Sequence, residues 1–197
     1  MMIISIINTK GGTAKTTTAM YLACAFVDTG ADTTVVDLDQ QGSASDWADR
    51  ATSSGDPLPF LVRDTNFKRL AAVAEAGTSG GGVVIVDTPP GDPKAIDAAI
   101  DVADFVIVPS QASSIEIARV WETLPSLAGT PHGVLITSAR LGTRHLTEAT
   151  NALESNDVPV FRTKIPIRES IRATFGRTPT STEGYADVVQ EIKEVFA

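Results

Sequence analysis

Short runs of β-branched and apolar residues alternate along this chain with longer stretches of helical spacing, and this alternation strongly constrains the fold. Each run is apolar at almost every position, which is typical of parallel strands buried on both faces. Parallel neighbours need crossover connections, so the stretches between the runs are predicted to be helices that cover the sheet. The predicted strands are Ile3–Asn8, Thr34–Asp37, Val83–Asp87, Phe105–Pro109 and Val134–Thr137.

The stretches between the strands predict helices on both faces of one mostly parallel sheet, which is a three-layer α/β architecture. We expect residues 1–197 to form a single domain, because the sequence has no internal repeat. A final amphipathic helix is predicted to pack on the core through one apolar side, formed by Tyr185, Val188, Val189, Ile192 and Val195. The predicted helices are Thr16–Thr29, Thr65–Ala76, Ile115–Ala128, Thr143–Ser155 and Glu183–Phe196.

The composition excludes several classes of protein. Hydrophobic and charged fractions of 43% and 20% are ordinary for a globular protein. The single cysteine, Cys24, excludes a disulfide framework and a cysteine-ligated cluster within one chain. No signal peptide pattern precedes the first strand, and no apolar stretch approaches the roughly 18 to 20 residues that span a bilayer. We therefore expect a cytoplasmic protein with no membrane partner.

The charge is unevenly distributed. The net charge of −8 argues against a protein that covers nucleic acid with its whole surface. The acidic excess lies in residues 1–130, whereas residues 131–197 carry equal numbers of acidic and basic residues. Segment 158–177 contains five basic residues and one acidic residue, and this basic patch requires an explanation of its own.

The first predicted strand leads into a loop rich in glycine, lysine and threonine, "NTKGGTAKTTT". The pair Gly11–Gly12 permits positive φ and a close approach of the backbone, and Lys15 opens a helix whose N-terminus favours anions. In such loops the lysine contacts β- and γ-phosphates, and the next hydroxyl, here Thr16, ligates Mg²⁺. The usual G-x-x-x-x-G-K-[ST] pattern fails at two positions, because Thr9 and Ala14 are not glycines.

A second motif, "VVDLDQQGSASDW", places two carboxylates at the end of the next predicted strand. Asp37 ends the strand, and Asp39 follows in the turn. Two carboxylates at this spacing could hold a metal-bound water and orient an attacking water. A purely structural role as a helix cap or turn former suits Asp46 better than either of these two.

A third motif, "VVIVDTPPG", has four β-branched residues, Val83–Val86, that lead into Asp87. This is the Walker B arrangement, which holds Mg²⁺. Many buried strands end in aspartate, so the motif is weak by itself. All three motifs follow predicted parallel strands, and the carboxyl ends of such strands bind ligands in open α/β sheets. Together they predict a nucleotide site.

The three motifs resemble those of the ParA/MinD family of P-loop ATPases. "KGGTAKTT" is similar to the family's deviant Walker A motif, K-G-G-x-x-K-[ST], and the second and third motifs resemble its switch region and Walker B. "VIVPSQASSIEI" resembles the next strand and loop, and "KIPIRESIRATFGRTP" resembles the nucleotide-base loop. The resemblance covers essentially the whole chain and implies a three-layer P-loop NTPase fold and an ATPase that uses ATP and Mg²⁺.

The resemblance also implies roles for single residues. Lys10 matches the signature lysine, which in this family reaches the partner's nucleotide across a dimer. Lys15 is implied to contact the β- and γ-phosphates, and Asp39 to orient the attacking water. The implied metal-site residues are Thr16, Asp37 and Asp87. The residues implied to bind nucleotide are Lys10, Gly11, Gly12, Thr13, Ala14, Lys15, Thr16, Thr17, Pro166 and Arg168.

Among the branches of this family the sequence favours the small ParA type. Cys24 alone cannot supply the cluster of nitrogenase iron protein-like members, and the last helix is too acidic for a MinD-like membrane anchor. The chain starts at the first strand, without the DNA-reading helix-turn-helix of larger partition ATPases. The resemblance then implies an ATP-bound homodimer that associates with the nucleoid through non-specific double-stranded DNA, and a ParB-like or small centromere-binding partner. The candidate DNA contacts are Arg140, Arg144, Arg162, Lys164, Arg168, Arg172 and Arg177.

Two other functions remain open from the sequence. A dethiobiotin-synthetase-like ligase shares this fold, but such ligases lack the Lys10 signature. A non-hydrolysing adaptor could use nucleotide as a structural switch, although the retained aspartates and lysines argue against it. The sequence does not identify the cargo, which could be a plasmid, a chromosome or a protein compartment.

Overall fold

Six parallel strands form one sheet at the centre of the computed structural model, which describes all 197 residues. The strands are β1 (Met2–Ile6), β2 (Thr33–Asp37), β3 (Leu61–Asp64), β4 (Val83–Asp87), β5 (Phe105–Ser110) and β6 (His132–Ile136). Their order across the sheet is β3-β2-β4-β1-β5-β6, and all five pairings are parallel. The predicted parallel sheet is confirmed.

Eight helices connect and cover the strands. They are α1 (Lys15–Asp28), α2 (Ser43–Ser53), α3 (Leu70–Thr78), α4 (Pro93–Val102), α5 (Ser114–Thr123), α6 (Arg144–Glu154), α7 (Glu169–Ala173) and α8 (Tyr185–Val195). None of them combines the length and the apolar character that a bilayer-crossing helix needs.

The sheet separates two hydrophobic cores, one on each face. On one face, strand residues such as Ile4 and Ile85 pack with α1, α2 and α8. On the other face, residues such as Val86 and Val108 pack with α3, α4, α5 and α6. Neighbouring residues of the central strands point to opposite cores, which explains why these strands are apolar throughout. The three-layer α/β arrangement expected from the sequence is confirmed.

The structure contains four elements that the sequence analysis did not predict. Strand β3 lies at the edge of the sheet and has mostly exposed residues, so it lacks the continuous apolar run of a buried strand. Helix α2 begins inside the second motif and α4 follows the third; each buries only three residues, so its apolar side is narrow. Helix α7 has only five residues, which is too short for a periodic signal.

Three predicted boundaries or faces were wrong. Helix α3 begins at Leu70 rather than at residue 65, because the Asn66 side chain accepts a bond from Lys68 N and forms a turn. Helix α5 ends at Thr123, and Pro125 lies in the 3-10 turn that follows. On α8 the predicted apolar side packs on the core except at Val195, which is 57% exposed.

Strand register brings the sequence motifs to one edge of the sheet. Asp37 at the end of β2 is paired with Asp87 at the end of β4, and Asp87 is paired with Ile6 at the end of β1. The loop that follows β1 therefore begins beside both aspartates.

Candidate nucleotide-binding site

The start of the loop between β1 and α1 is fixed by the side chain of Asn8. Asn8 is fully buried; its amide donates to Pro109 O at 2.8 Å, and its Oδ1 accepts from Lys10 N at 2.9 Å. Gly12 and Ala14 both have left-handed backbones, with φ of 79° and 69°. With two left-handed residues so close together, the backbone N–H groups of the loop and of the first turn of α1 remain free to bind an anion.

Lys15 lies at the first position of α1 and is only 7% exposed. Its ammonium donates to the backbone oxygen of Lys10 at 2.8 Å, so the side chain folds back over the loop. Burial lowers the pKa of the Lys15 ammonium, although the carboxylates of Asp87 and Asp39 oppose this shift. The lysine is thus a buried cation in the concave side of the loop, as phosphate binding requires.

Asp87 is a fully buried carboxylate that lies directly beside α1. The Thr16 hydroxyl donates to its Oδ2 atom at 2.6 Å, and its Oδ1 atom is buried without a hydrogen-bond partner. Burial raises the pKa of Asp87 to about 7; the bond from Thr16 opposes this shift, as does Lys15, and the charge of Asp37 adds to it. An unpaired buried oxygen of this kind is costly unless a cation or water reaches it.

The two carboxylates of the second motif have different surroundings. Asp37 is 1% exposed and accepts bonds from Asp39 N at 3.0 Å and from both the backbone N and the hydroxyl of Ser45 at 2.9 Å. Asp39 is half-buried and accepts a bond from Gln41 N through one oxygen. Asp37 therefore has a fixed geometry, whereas Asp39 has one oxygen free to face the cavity.

The oxygen atoms around Asp87 suit a magnesium ion. The Thr16 hydroxyl, the unpaired Oδ1 atom of Asp87 and the nearby Asp37 carboxylate are hard oxygen donors, which Mg²⁺ prefers. No group of three or more His, Cys, Asp or Glu side chains converges on one point anywhere in the chain. The donor set therefore fits a magnesium ion held by one or two protein oxygens together with phosphate oxygens and water, and does not fit an all-protein metal cage.

An open cavity of about 350 Å³ lies above the loop and brings most of the predicted residues together. Its lining includes residues of the loop and of both later motifs, among them Asp39 and Thr88. The predicted site residues that line it are Gly11, Gly12, Ala14, Lys15, Thr16, Thr17 and Asp39. Thr13 is buried beneath the loop, where its backbone oxygen accepts from Thr137 at 3.3 Å.

The predicted base-binding residues lie in a narrower cleft next to this cavity. Pro166 and Arg168 line the cleft together with Ala14, Thr17 and Tyr185. Pro166 pairs with Ala139 through an isolated parallel bridge, which fixes the late loop against the end of β6. Arg168 is exposed and forms an ion pair with Glu183 at 3.1 Å. The structure thus brings the late loop and the phosphate loop into one continuous depression.

Lys10 does not line the cavity. Its ammonium forms an ion pair with Glu116 in the first turn of α5, and 45% of its side chain remains exposed. Gln111, just before α5, also contacts the loop by donating to Gly12 O at 3.4 Å. Sequence reasoning missed Glu116 entirely, because it lies 106 positions from Lys10.

An aromatic pair on the rim of the cavity was also missed. Trp47 of α2 and Phe175 after α7 both line the cavity, with ring centroids 5.3 Å apart in an edge-to-face arrangement. The Trp47 indole donates to Arg177 O at 2.8 Å. The segment after the base loop is therefore fixed to the helix that follows Asp39. The tryptophan at the end of the second motif was the only sequence signal for this contact.

Ion pairing divides the seven candidate DNA contacts into two groups. Four of them are paired with glutamates: Arg144, Arg162, Arg168 and Arg172. Lys164 is half-buried, and its ammonium donates to Phe161 O. Only Arg140 and Arg177 are exposed with no carboxylate oxygen within 4.0 Å. Three further exposed cations without such a partner lie in and after β3: Arg63, Lys68 and Arg69.

A parallel sheet with this loop before α1 and a carboxylate at the end of β4 bonded to the first-turn hydroxyl defines a P-loop nucleoside triphosphatase. Residues 4–178 match the CobQ/CobB/MinD/ParA nucleotide binding domain family. The chain belongs to this family and is a ParA-type P-loop ATPase, as the resemblance implied.

Individual relatives agree with this assignment. Maintenance of carboxysome distribution protein A from Gloeobacter kilaueensis is 39% identical over 169 residues, which cover 81% of this chain and 74% of that protein. Chromosome-partitioning ATPase Soj from Thermus thermophilus is 31% identical over 150 residues, 63% of this chain and 60% of Soj. The fold is similar to that of the septum site-determining protein MinD of Pyrococcus horikoshii, solved with Mg-ADP, at a TM-score of 0.75 and 17% identity over 100% of this chain and 97% of that one.

Proposed function

We propose that residues 1–197 form a single-domain DNA-partition or cargo-positioning ATPase, in which Mg-ATP binding drives a homodimer with nucleotide at its interface. The observation that carries the proposal is the half-exposed side chain of Lys10, which lies beside the cavity but not in it. A cation in that position can reach a nucleotide held by a second copy. The relatives named for carboxysome distribution and for chromosome partitioning both support this class of function.

The chemistry is phosphoryl transfer from ATP to water, which depends on positioning and on neutralising charge at the γ-phosphate. In this proposal Lys15 binds the β- and γ-phosphates, and the half-buried Asp39 orients the attacking water. Thr16, Asp37 and Asp87 would hold a magnesium ion and its water shell, which supplies further positive charge at the phosphates. Lys10 of the second copy would add the last positive charge needed to neutralise the γ-phosphate, so that hydrolysis depends on dimerisation.

Substitution of Lys10 tests the dimer. The Lys10→Ala variant is expected to bind ATP but to remain monomeric with ATP and Mg²⁺ in analytical ultracentrifugation, because it lacks the cation that crosses the interface. The Lys94→Ala variant, which removes an exposed lysine at the start of α4, is the matched control and is expected to dimerise normally. Normal ATP-dependent dimers in Lys10→Ala would overturn the proposal. Rapid turnover with a small carboxylate substrate would instead favour the ligase alternative.

The proposed dimer would bind non-specific double-stranded DNA and so associate with the nucleoid, and a ParB-like or small partner protein would stimulate hydrolysis and release it. A cation without a carboxylate partner can contact a DNA phosphate without first breaking an ion pair. This favours Arg140 and Arg177 over the other late candidates. The group Arg63, Lys68 and Arg69 is a second source of such contacts. The paired Arg162, in contrast, would first have to leave Glu191 and Glu194.

DNA binding is tested by two double variants, measured as the salt dependence of binding to an arbitrary duplex with ATP and Mg²⁺. Loss of Arg140 and Arg177 is expected to reduce the slope of log affinity against log salt by about 2, since each phosphate contact contributes about 0.9. The matched control, Arg144→Ala with Arg162→Ala, is expected to change the slope by less than about 0.5. If the control lowers the slope as much, ion pairing does not select the DNA contacts. If wild-type protein binds no duplex at low salt, the DNA proposal is wrong.

A further inference from the structure

Glu116 is a buried carboxylate beside the phosphate loop that the chemistry above does not use. It lies in the first turn of α5, and only 7% of the residue is exposed. Its Oε1 atom pairs with the Lys10 ammonium, and its Oε2 atom is buried without a hydrogen-bond partner. Most buried side-chain oxygens in proteins are hydrogen-bonded, so this arrangement requires a reason.

The geometry of α5 excludes the usual structural reason for a glutamate at this position. A glutamate three residues after a serine N-cap commonly accepts from the backbone N–H of that serine, which completes a capping box. Ser113 is the N-cap and accepts from Glu116 N at 3.3 Å, but the Ser113 N–H donates to Gln111 O at 2.9 Å. The Glu116 carboxylate therefore takes no part in the cap, and Lys10 is its only partner.

The two partners are unequally exposed. The Lys10 side chain is 45% exposed, whereas that of Glu116 is 9% exposed. If Lys10 leaves the pair, its ammonium passes into water or to another anion. Glu116 in contrast is left as a buried charge without a cation, which is the unfavourable half of a broken ion pair. The pair therefore favours the state in which Lys10 stays on its own chain.

We propose that Glu116 is a positioning residue that restrains Lys10 within its own subunit and so opposes formation of the ATP-bound dimer. To contact the nucleotide of the second copy, Lys10 must leave Glu116. The free energy needed to break the Lys10–Glu116 ion pair makes dimerisation less favourable by the same amount. This inference rests on the dimer proposed above. It predicts that weakening the pair makes the protein dimerise at lower concentration.

The test is the Glu116→Gln variant, which keeps the shape of the side chain and removes its charge. Its dimer dissociation constant, measured by analytical ultracentrifugation with Mg²⁺ and a non-hydrolysable ATP analogue, is expected to fall by about fivefold or more. Glu122→Gln is the matched control, because it breaks an exposed ion pair with Arg119 on the same helix. The control is expected to dimerise like the wild type. Monomer affinity for the analogue, measured at low protein concentration, is expected to stay unchanged in both.

A double variant shows whether the effect of Glu116 acts through Lys10. Glu116→Gln combined with Lys10→Ala is expected to remain monomeric, because the residue that Glu116 restrains is gone. A purely structural role for Glu116 would weaken dimerisation and lower thermal stability instead. Glu116→Asp retains the charge but cannot reach Lys10 in the same geometry, so it is expected to shift the dimer constant in the same direction as glutamine.

The outcomes separate this inference from the proposed function. If wild type dimerises and Glu116→Gln does so equally or more weakly, the restraint is overturned and the dimer stands. If the double variant dimerises, the effect does not pass through Lys10 and the restraint is again wrong. If neither wild type nor Glu116→Gln dimerises, both proposals fail. Dimers in Glu116→Gln alone would support both.

Discussion

Lys10 and Lys15 belong to one loop, yet the structure gives their ammonium groups opposite surroundings. Lys15 is 7% exposed, donates to the backbone of its own loop and lies near the carboxylates of Asp87 and Asp39. Lys10 lies outside the cavity, is half-exposed and pairs with Glu116 on another helix. Lys15 therefore has the setting of a group that acts within one chain, and Lys10 that of a group able to act between chains.

The difference arises from the backbone between the two residues. Gly12 and Ala14 both have left-handed conformations, and α1 starts immediately after Ala14. A side chain at the first helical position points back toward the helix N-terminus, which carries Lys15 over the loop. Lys10 precedes both turns and stays on the outer side. A lysine on either side of a glycine pair is thus the sequence feature that separates the two roles.

The largest effect is expected from Lys15. The Lys15→Ala variant removes a charged contact to the phosphates, so turnover should fall by about 10³-fold and nucleotide affinity by about 10- to 100-fold. Lys10→Ala should change monomer affinity by less than about threefold. Titration with a fluorescent nucleotide measures the affinity of both variants, and steady-state phosphate release measures turnover. Equal losses of affinity in the two variants would show that the lysines share one role, and the comparison would fail.

Asp39 tests whether the attacking water lies on the Lys15 side of the loop. Asp39→Ala is expected to lower steady-state phosphate release by about 10²-fold, the usual contribution of a positioned carboxylate. It should still form ATP-dependent dimers, because neither lysine is altered. Asp46→Ala is the control, since Asp46 lies in the first turn of the neighbouring helix α2 but pairs with Arg50 in solvent. Normal turnover in Asp39→Ala would assign the water-orienting role to another residue.

Asp87 tests whether Lys15 alone neutralises the buried carboxylates. The pKa of Asp87 is raised by burial from 3.8 to about 7, so the folded protein keeps a proton there that the unfolded chain loses. The free energy of unfolding of protein without nucleotide or metal ion should therefore fall as pH rises from about 4 to about 7. Asp87→Asn should flatten this dependence and raise stability at pH 8 by about 1 kcal/mol or more.

Urea denaturation of both proteins between pH 4 and pH 8 measures this dependence on pH. The asparagine keeps the acceptor that Thr16 needs, so a loss of stability from packing is not expected. A wild-type stability that rises with pH over this range would mean that Lys15 already keeps Asp87 ionised. The Asp87 carboxylate would then be stabilised by Lys15 alone, without a further cation.

Much of the site could be predicted because each motif is local in sequence. Val83–Val86 is apolar and β-branched, so the strand and the carboxylate at its end are visible together. Strand β3 was missed because the charged residues Arg63 and Asp64 end its apolar run after only Leu61 and Val62. The Trp47–Phe175 contact and the Lys10–Glu116 pair join distant parts of the chain. No periodicity or spacing rule reaches across such separations, and Glu116 by itself resembles an ordinary helix-capping residue.

The backbone of Ala14 provides the smallest test. Its left-handed conformation, at φ 69° and ψ 31°, opposes the preference of an L-residue by roughly 1–2 kcal/mol. Ala14→Gly relieves that strain but makes the unfolded chain more flexible, so a net gain of about 0.5–1 kcal/mol in stability is expected. Ala23→Gly, in the middle of α1, should instead lower the stability by about 1 kcal/mol. Thermal or urea denaturation compares the two.

The same variant sharpens the comparison between the lysines, because Ala14 is the N-cap residue immediately before Lys15. A glycine can hold the same conformation without strain, so nucleotide affinity should change by less than about threefold. A larger loss of nucleotide affinity would mean that the strained alanine keeps Lys15 in its binding position. If Lys10→Ala still abolished dimerisation in this background, the alanine would have no effect on Lys10. Destabilisation equal to that of Ala23→Gly would show that the loop carries no strain at Ala14.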